Sequence, residues 1–399
     1  MSTLTLDKVK TIKTLNNIAE SGLNVFNNES YSINDDSENP EAILVRSFNM
    51  HDMNFDKNLI AIARAGAGVN NIPVDKCTEQ GIVVFNTPGA NANAVKEMIL
   101  TVLMASSRNL FDGVSWTKTL IGQGEEVPKL VEAGKKQFVG KEIKGKTLGV
   151  IGLGAIGALV ANDALALDMD VIGFDPFISV DTAWSLSRNV QRAMTIEQLF
   201  ANSDYITVHV PLTPDTKDMF NQATFGIMKP GVHILNFSRG ELVNEADMEA
   251  ALESGVVGHY ITDFPNENVL KMKNTISVPH LGASTGESEE NCAIMAARQV
   301  KELLETGNIK NSVNFPNATL PYTGKKRVAV FHKNVPNMVG QLTSALSNYN
   351  LNIADMINRS RGNFAYTMID IEDKVNGDVI PGLEQKISAI EGIVTARII

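Results

Sequence analysis

Several apolar runs in the second half of the chain end in side chains that can do acid–base or electrostatic chemistry. The run VHILNFSRG carries Arg239, and YITDFPNEN carries Asp263 and Glu267. The run SVPHLGAST carries His280, followed by residues too small to cover an imidazole. Because a free imidazole titrates near neutrality, His280 is suited to take a proton from a hydroxyl group. Glu267 would orient that ring and favour its charged form, and Arg239 would grip a carboxylate with two hydrogen bonds.

A glycine-rich loop earlier in the chain indicates what would receive the electrons. TLGVIGLGAIG places Gly152, Gly154 and Gly157 at the spacing of dinucleotide-binding loops. The loop follows a predicted strand and opens a predicted helix at Ala155, whose first N–H groups can bind a pyrophosphate. The next strand ends at Asp175, which can bind ribose hydroxyls and would repel a 2′-phosphate. The pattern therefore favours NAD over NADP as the cofactor.

These groups together predict one reaction. Parallel sheets bind ligands beyond the carboxyl ends of their strands, where the side chains above fall. Oxidation of a hydroxy acid needs a hydride acceptor, a base and a cation for the carboxylate, and the set supplies all three. Each residue alone has a structural alternative: Arg239 in a surface ion pair, Glu267 solvated, His280 as a buried, hydrogen-bonded histidine. Their joint occurrence favours catalysis. His209 ends another strand and is expected to line the cofactor cleft.

Composition limits the class of protein. The chain has 399 residues, 44% of them apolar, and a net charge of −10 with a pI near 5.2, which argues against binding nucleic acid or an anionic membrane. Cys77 and Cys292 form no disulfide or metal-binding pattern, so no metal site is predicted and both are expected to be buried thiols. The N-terminus lacks a secretory apolar region, and no run is long enough to span a bilayer. We expect a cytoplasmic protein of two or three domains.

Apolar runs alternate with helical stretches over about residues 41–279. Runs of this kind, rich in β-branched residues, are typical of strands buried on both faces of a parallel sheet. The alternation predicts an open, doubly wound α/β architecture. Residues 312–324, which contain prolines and a glycine, are interpreted as a linker. The remainder has a βαββαβ pattern, which predicts a ferredoxin-like α+β domain.

The chain resembles the D-isomer-specific 2-hydroxyacid dehydrogenases over most of residues 42–310. The resemblance is carried by GAGVNNI, GIVVFNTPGANANAVKE, GKTLGVIGLGAIG, HVPLT, MKPGVHILNFSRGELV and PHLGAST. It implies a Rossmann-type NAD-binding domain, residues 91–283, inserted in a flavodoxin-like substrate lobe made of residues 1–90 and 284–318. Substrate would lie between the lobes, which would close around it. Residues 326–399 are similar to the ACT regulatory domains that many members carry.

The resemblance also implies roles for individual residues. Arg239, Glu267 and His280 fall on the family's catalytic arginine, glutamate and histidine. With the residues already discussed, the cofactor-contacting positions are Gly152, Gly154, Ala155, Ile156, Gly157, Asp175, His209, Ser238, Asp263 and Gly282. The substrate-side positions are Arg46, Ser47, Ala67, Gly68 and Asn91. Asp263 is one residue out of register with the aspartate expected near the nicotinamide. Phe48 replaces a second basic residue that some members have after the Arg-Ser pair.

The tail carries a possible regulatory site. His332, Asn334 and Asn352 match positions that contact serine in ACT domains. Asn337 and Asn350 stand where some serine-regulated relatives have glycines. A dimerisation module with no effector is therefore an equal alternative to a domain that binds L-serine.

The leading hypothesis is NAD-dependent oxidation of 3-phospho-D-glycerate to 3-phosphohydroxypyruvate, the first step of L-serine biosynthesis, by a homodimer or homotetramer. It depends on the catalytic trio, on Arg46 and Ser47 at the phosphate end of the substrate, and on the ACT-like tail. The first alternative is a dehydrogenase for an unphosphorylated D-2-hydroxy acid, such as glycerate, or a reductase for hydroxypyruvate. The second alternative is a non-catalytic NAD sensor.

Overall fold

The computed structural model describes residues 9–372 and 379–399. The chain divides into two compact units: unit 1 comprises residues 1–91 and 286–399, and unit 2 comprises residues 92–285. Unit 2 therefore interrupts unit 1 in the sequence. The domain boundaries that were expected from the sequence stay a prediction.

Unit 1 begins with a five-stranded parallel sheet. Its elements are β1 (Lys10–Leu15), α1 (Glu20–Leu23), β2 (Tyr31–Ile33), β3 (Ala42–Val45), β4 (Ala61–Arg64), α2 (Val74–Glu79) and β5 (Val83–Phe85). The order β2-β1-β3-β4-β5 is that of a flavodoxin-like sheet. Every residue of β3 is buried, as expected for a strand covered on both faces. The apolar alternation missed β1, because KTIKTL is only partly apolar, yet β1 lies between β2 and β3.

Unit 2 is built on a seven-stranded parallel sheet. It contains α3 (Ala92–Ser107), α4 (Leu110–Lys118), α5 (Val127–Gly134), β6 (Thr147–Ile151), α6 (Ala155–Ala166), β7 (Asp170–Phe174), α7 (Val180–Ser185), β8 (Gln191–Arg192), α8 (Ile196–Asn202), β9 (Tyr205–Val208), α9 (Gln222–Phe225), β10 (Val232–Asn236), α10 (Glu245–Ser254), β11 (Val257–Thr262), α11 (Glu267–Lys271) and β12 (Thr275–Ser277). The order β12-β11-β10-β9-β6-β7-β8 confirms the predicted doubly wound α/β fold. Strand addition changes direction between β6 and β9, the kind of position where such sheets bind ligands.

The chain then returns to unit 1. This part contains α12 (Gly286–Thr306), β13 (Arg327–Lys333), α13 (Met338–Ser347), β14 (Ile353–Arg361), β15 (Phe364–Ile371), α14 (Val379–Ser388) and β16 (Ile393–Ile398). The four strands form an antiparallel sheet in the order β14-β15-β13-β16, called here the C-terminal sheet. The predicted βαββαβ arrangement is confirmed.

The C-terminal sheet is packed onto the rest of unit 1. Phe331, Tyr366 and Met368 belong to the same buried cluster as residues of β1, β5 and α12. Phe315 completes the contact, with its ring centroid 4.5 Å from that of Phe331. Residues 312–320, interpreted above as part of a linker, contain no helix or strand but bury Phe315 and Leu320 in this cluster.

Arg327, at the start of β13, is fully buried in this contact. Its Nε and Nη2 donate to the two carboxylate oxygens of Asp370 at 2.5 and 2.8 Å. Its Nη1 donates to the carbonyl of Thr306, the last residue of α12, at 2.6 Å. Arg397 of β16 likewise donates to the carbonyl of Leu303 at 2.6 Å. The C-terminal sheet thus supplies donors to two carbonyls of the last turn of α12, where a helix leaves carbonyls without intrahelical partners; the Leu303 carbonyl also accepts from the N–H of Gly307.

Candidate functional site

The glycine loop of unit 2 has the geometry of a dinucleotide site. Gly152 has φ +85°, and a Cβ there would lie 2.6 Å from the carbonyl oxygen of His209. A Cβ on Gly157 would clash with the carbonyl of Gly152. A Cβ on Gly154 would meet no described atom within 4 Å, which leaves an open approach to the backbone. Two glycines are therefore needed for packing, and the middle one faces space that a pyrophosphate can fill.

The start of α6 completes this cradle. The N-cap, Gly154, has no side chain to accept from the first N–H groups of the helix, which include those of Ala155 and Ile156. Such N–H groups and the helix dipole favour a bound phosphate. Asp175 follows β7, and its carboxylate accepts from the N–H groups of Leu153 and Phe177, both at 2.8 Å. These bonds fix the carboxylate beside the loop, where it can meet ribose hydroxyls. The residues present therefore fit NAD.

Two further predicted cofactor residues lie on neighbouring strand ends. The Nε2 of His209 is 2.9 Å from the Thr207 hydroxyl, and burial lowers the pKa of His209 to about 3, so the ring is neutral at physiological pH. Within the described chain its Nδ1 is buried without a hydrogen-bond partner. Ser238 donates from its hydroxyl to the carbonyl of Val208 at 2.7 Å, which ties the ends of β10 and β9 together.

His280 lies in a loop held by Asp263. The backbone of His280 is left-handed, with φ +46°, an uncommon conformation for a residue with a side chain. Its N–H donates to the carbonyl of Asp263 at 3.1 Å, and the N–H of Gly282 donates to the Asp263 carboxylate at 3.0 Å. The imidazole is exposed and packs edge-on against Phe264, with ring centroids 5.0 Å apart. His280 and Asp263 line an open cavity of about 870 Å³. The exposed ring can be reached by a substrate.

Asp263 is the carboxylate that the structure brings to His280. The residue is 2% exposed, and burial raises the pKa of its carboxyl group. The Gly282 N–H and the nearby charges of His280 and Arg239 oppose that rise. One carboxylate oxygen, Oδ1, is buried with no hydrogen-bond partner in the described part of the chain. The sequence suggested that Asp263 lies near the nicotinamide, and this contact stays a prediction.

Arg239 and Glu267 have different surroundings. Arg239 is exposed and donates from Nη1 to the carbonyl of Ser238 at 2.6 Å. Glu267 begins α11, and its carboxylate accepts from Lys271 at 2.6 Å, with 83% of the side chain exposed. The charges of Arg239 and of His280 thus each act on Asp263, whereas Glu267 is paired with a lysine. The role of Glu267 as the helper of His280 stays a prediction.

The predicted substrate-side residues lie in unit 1. Arg46 and Ser47 follow β3, and Nη2 of Arg46 is 2.6 Å from Oε1 of Glu289, in the first turn of α12. Ala67 accepts at its carbonyl from the Asn86 side chain at 2.6 Å. Gly68 accepts at its carbonyl from Arg64, and Asn91 is half-buried before α3. Sequence reasoning missed Glu289, because it lies 243 positions from Arg46 and no local pattern links them.

The predicted effector residues lie around the C-terminal sheet. His332 is 1% exposed, with Nδ1 2.8 Å from the carbonyl of Lys333 and Nε2 2.8 Å from the Thr367 hydroxyl. Asn334 donates to the carbonyl of Gly362 at 3.2 Å. Asn352 precedes β14 and is exposed. Both nitrogens of His332 are therefore engaged inside the protein, and the effector role of these residues stays a prediction.

Over residues 9–372 and 379–399, no cluster of three or more His, Cys, Asp or Glu side chains could hold a metal ion. No helix in these ranges has the length and apolar character needed to cross a membrane. Both cysteines are buried and unbridged, as the sequence predicted.

Comparison with known proteins assigns the family. Residues 100–282 match the family model described as D-isomer specific 2-hydroxyacid dehydrogenase, NAD binding domain. A yeast protein, D-3-phosphoglycerate dehydrogenase 1 of Saccharomyces cerevisiae, is 30% identical over 353 residues, which cover 82% of this chain and 71% of that protein. The chain belongs to the D-isomer-specific 2-hydroxyacid dehydrogenase family.

Among the similar relatives, the D-3-phosphoglycerate dehydrogenase of Methanocaldococcus jannaschii is 34% identical over 307 residues, 75% of this chain and 56% of that protein. The Synechocystis enzyme of the same name is 36% identical over 288 residues, 70% of this chain and 50% of that protein. The chain thus spans about half the length of these relatives. A solved NAD⁺-bound 3-phosphoglycerate dehydrogenase of Entamoeba histolytica aligns with a TM-score of 0.59 and 25% identity, over 78% of this chain and all of that one. The apo D-mandelate dehydrogenase of Rhodotorula graminis aligns with a TM-score of 0.64 and 21% identity, over 79% of this chain and all of that one, and so shares the fold.

Proposed function

We propose that this protein is an NAD-dependent dehydrogenase that oxidises 3-phospho-D-glycerate to 3-phosphohydroxypyruvate, a precursor of L-serine. The observation that carries the proposal is the exposed His280 in its left-handed loop, held by Asp263, in the unit that contains the glycine loop. The names of the relatives at 30–36% identity support the choice of substrate.

The proposed chemistry divides among few side chains. NAD, when bound, supplies the acceptor for the hydride that leaves C2. An imidazole nitrogen of His280 takes the proton of the C2 hydroxyl group. Asp263 holds the loop that carries His280 through the Gly282 N–H, and Glu267 is the carboxylate proposed to favour the resulting imidazolium. Arg239 binds the substrate carboxylate and polarises the oxygen on C2. Gly152, Gly154 and the first turn of α6 would hold the pyrophosphate of NAD.

A substitution of His280 tests this mechanism. We expect His280→Ala to lower kcat by about two to four orders of magnitude, the usual contribution of general acid–base catalysis. The dissociation constant for NADH, measured by fluorescence, should barely change. A loss of NADH affinity as large as the loss of kcat would mean that His280 supports the cofactor site rather than proton transfer. Unaltered function in cells after the substitution would favour the NAD sensor.

The substrate proposal is tested by comparing kcat/KM for 3-phosphoglycerate, D-glycerate and D-lactate in NADH formation. A clear preference for the phosphorylated acid supports it, and comparable values would refute it. One observation favours the alternative of an unphosphorylated D-2-hydroxy acid. Arg46, the residue expected at the phosphate, is already paired with Glu289.

We further propose a cytoplasmic homodimer or homotetramer. The two unbridged cysteines are consistent with a reducing compartment. Self-association is supported by β14, an edge strand exposed along nearly its whole length. Antiparallel pairing of two copies about Ile357 would place Asp355 opposite Arg359. We expect Arg359→Glu to lower the mass measured by light scattering, and an unchanged mass would exclude this edge as the contact.

We also propose that L-serine binds at the C-terminal sheet as an effector. A titration of the initial rate with serine up to millimolar concentration tests it. Inhibition that is lost on Asn334→Ala would support binding there. An unchanged rate would leave the domain with the packing role described above.

A further inference from the structure

The cation expected at the distal end of the substrate is already neutralised. Nη2 of Arg46 lies 2.6 Å from Oε1 of Glu289, and about two fifths of each side chain is exposed. The guanidinium lowers the pKa of Glu289, so the carboxylate is ionised at any pH at which the enzyme would work. An anionic group that approaches Arg46 therefore meets a salt bridge and a negative charge.

The backbone around Arg46 offers no replacement for that cation. The N–H groups of Ser47 and Phe48 both donate to the Asn16 side chain, at 3.0 and 2.6 Å. The carbonyl of Arg46 accepts from Arg64 at 2.9 Å, which fixes the loop from the other side. The backbone N–H groups of Ser47 and Phe48 are therefore engaged, and the guanidinium of Arg46 is the group that we expect to bind an anion at this loop.

Glu289 cannot easily move away with its helix. It lies in the first turn of α12, where the helix dipole favours a negative charge. The helix is packed next to this turn: Cys292 and Ala293 are buried, and Ala293 lies so close to Gly22 that a Cβ on Gly22 would clash with it. A binding anion can therefore separate Arg46 from Glu289 only by changing side-chain rotamers.

We propose that Glu289 is a specificity-determining residue, which competes with the distal anionic group of the substrate for Arg46. The inference rests on the proposed function. A dianionic phosphate must displace the Glu289 carboxylate and then remain beside it, whereas an uncharged hydroxymethyl end group need not. Glu289 thereby reduces the preference for a phosphorylated over an unphosphorylated 2-hydroxy acid below the value that Arg46 alone would give.

The substitution Glu289→Gln tests this inference, because it removes the charge and keeps the size of the side chain. The measured quantity is the ratio of kcat/KM for 3-phosphoglycerate to that for D-glycerate, which differ only in the phosphate. We expect this ratio to rise about three- to tenfold, the range for a partly exposed ion pair plus the repulsion of a nearby phosphate. Glu287→Gln is the matched control, because Glu287 is the other acidic residue of the same helical turn. Its ratio should stay within twofold of the wild-type ratio.

A second pair of variants tests whether the effect passes through Arg46. In an Arg46→Ala background, Glu289→Gln should change the ratio less than twofold, because the competition no longer exists. A rise of the ratio that persists in the Arg46→Ala background would overturn the proposal and indicate general charge repulsion instead. A ratio that stays constant on Glu289→Gln in the wild-type background would also overturn it. A ratio that falls would overturn it and identify Glu289 as a residue that orients Arg46 for binding.

Failure of the proposed function remains distinguishable from failure of this inference. Binding of 3-phosphoglycerate to the full chain can be measured by calorimetry without turnover. If neither acid is oxidised but Glu289→Gln tightens 3-phosphoglycerate binding about three- to tenfold, the proposed reaction is wrong and the inference stands. If the wild-type protein oxidises 3-phosphoglycerate and Glu289→Gln leaves both the ratio and the binding constant unchanged, the inference is wrong and the reaction stands.

Discussion

The carboxylate of Asp263 should matter for turnover because it fixes the loop that carries His280. Asp263→Ala removes the acceptor of the Gly282 N–H and keeps the backbone carbonyl that accepts from His280. Asp263→Asn removes the charge but can still accept from Gly282 through its amide oxygen. The two variants therefore separate the hydrogen bond from the charge.

The expected magnitude follows from the burial of the bond. Gly282 and Asp263 are both buried, and a buried N–H left without an acceptor costs about 1–3 kcal/mol. The left-handed conformation of His280 costs a further 1–2 kcal/mol, roughly, that the loop contacts must offset. A loss of about 1–3 kcal/mol lowers the equilibrium constant for the correctly placed loop by about 5- to 150-fold, which is the upper limit of the effect on its population. We expect Asp263→Ala to lower kcat within this range and Asp263→Asn to stay within about threefold of the wild type.

The assay measures kcat and KM for 3-phosphoglycerate, the dissociation constant for NADH and the melting temperature of each variant. Glu241→Gln is a suitable control, because Glu241 lines the same cavity and also carries a carboxylate. Equal losses of kcat in the Ala and Asn variants would refute the hydrogen-bond argument and point to the charge. A loss confined to NADH affinity would instead place Asp263 at the cofactor.

Three further results are expected. Burial lowers the pKa of His233 to about 3, so below about pH 6.5 the unfolded chain binds a proton that the folded chain does not. The free energy of unfolding should therefore fall as the pH drops from about 6.5 towards 3. His233→Gln should flatten this pH dependence in urea titrations at pH 5 and 7. Asp370→Ala leaves the buried Arg327 without its carboxylate and should lower the free energy of unfolding by about 3–5 kcal/mol. Asp175→Ala should raise the ratio of kcat/KM for NADP to that for NAD by about tenfold or more, because the carboxylate no longer repels a 2′-phosphate.

Each of these results has a clear contrary outcome. An acid dependence equally steep in the His233 variant would assign the proton uptake to other groups. An Asp370→Ala protein as stable as the wild type would mean that Arg327 is rehydrated rather than stranded. Unchanged cofactor preference after Asp175→Ala would show that another part of the loop excludes the phosphate.

Six of the seven strands of unit 2 could be predicted because they are largely apolar runs between turn residues, whereas β8, which is polar and exposed, was missed. The same rule failed for β1, where Ile12 and Leu15 are the apolar members of a strand that alternates with lysine and threonine. It gave no indication of α12, whose buried face is built largely from small residues such as Ala293, Ala296 and Ala297. Prolines suggested a linker after that helix, but Phe315 is drawn into the core by aromatic partners that lie later in the chain. Local patterns cannot report such partners.

In the candidate site, too, local patterns predicted some features and missed others. Glycine spacing and strand ends were sufficient to predict where Gly152, Asp175 and His280 lie in the fold, because these positions depend on the local backbone. The partners of the charged residues depend on tertiary packing and were not predictable. Glu267 pairs with Lys271, one helical turn away, while Asp263 reaches His280 across a loop.

The aromatic face of the C-terminal sheet has a practical consequence for protein engineering. A shortened chain ending near residue 325 would leave Phe315 and the cluster below it open to water, and the last carbonyls of α12 would lose the donors of Arg327 and Arg397. Uncovered apolar surface of this kind promotes aggregation. A truncated form should therefore accumulate in inclusion bodies rather than as folded protein.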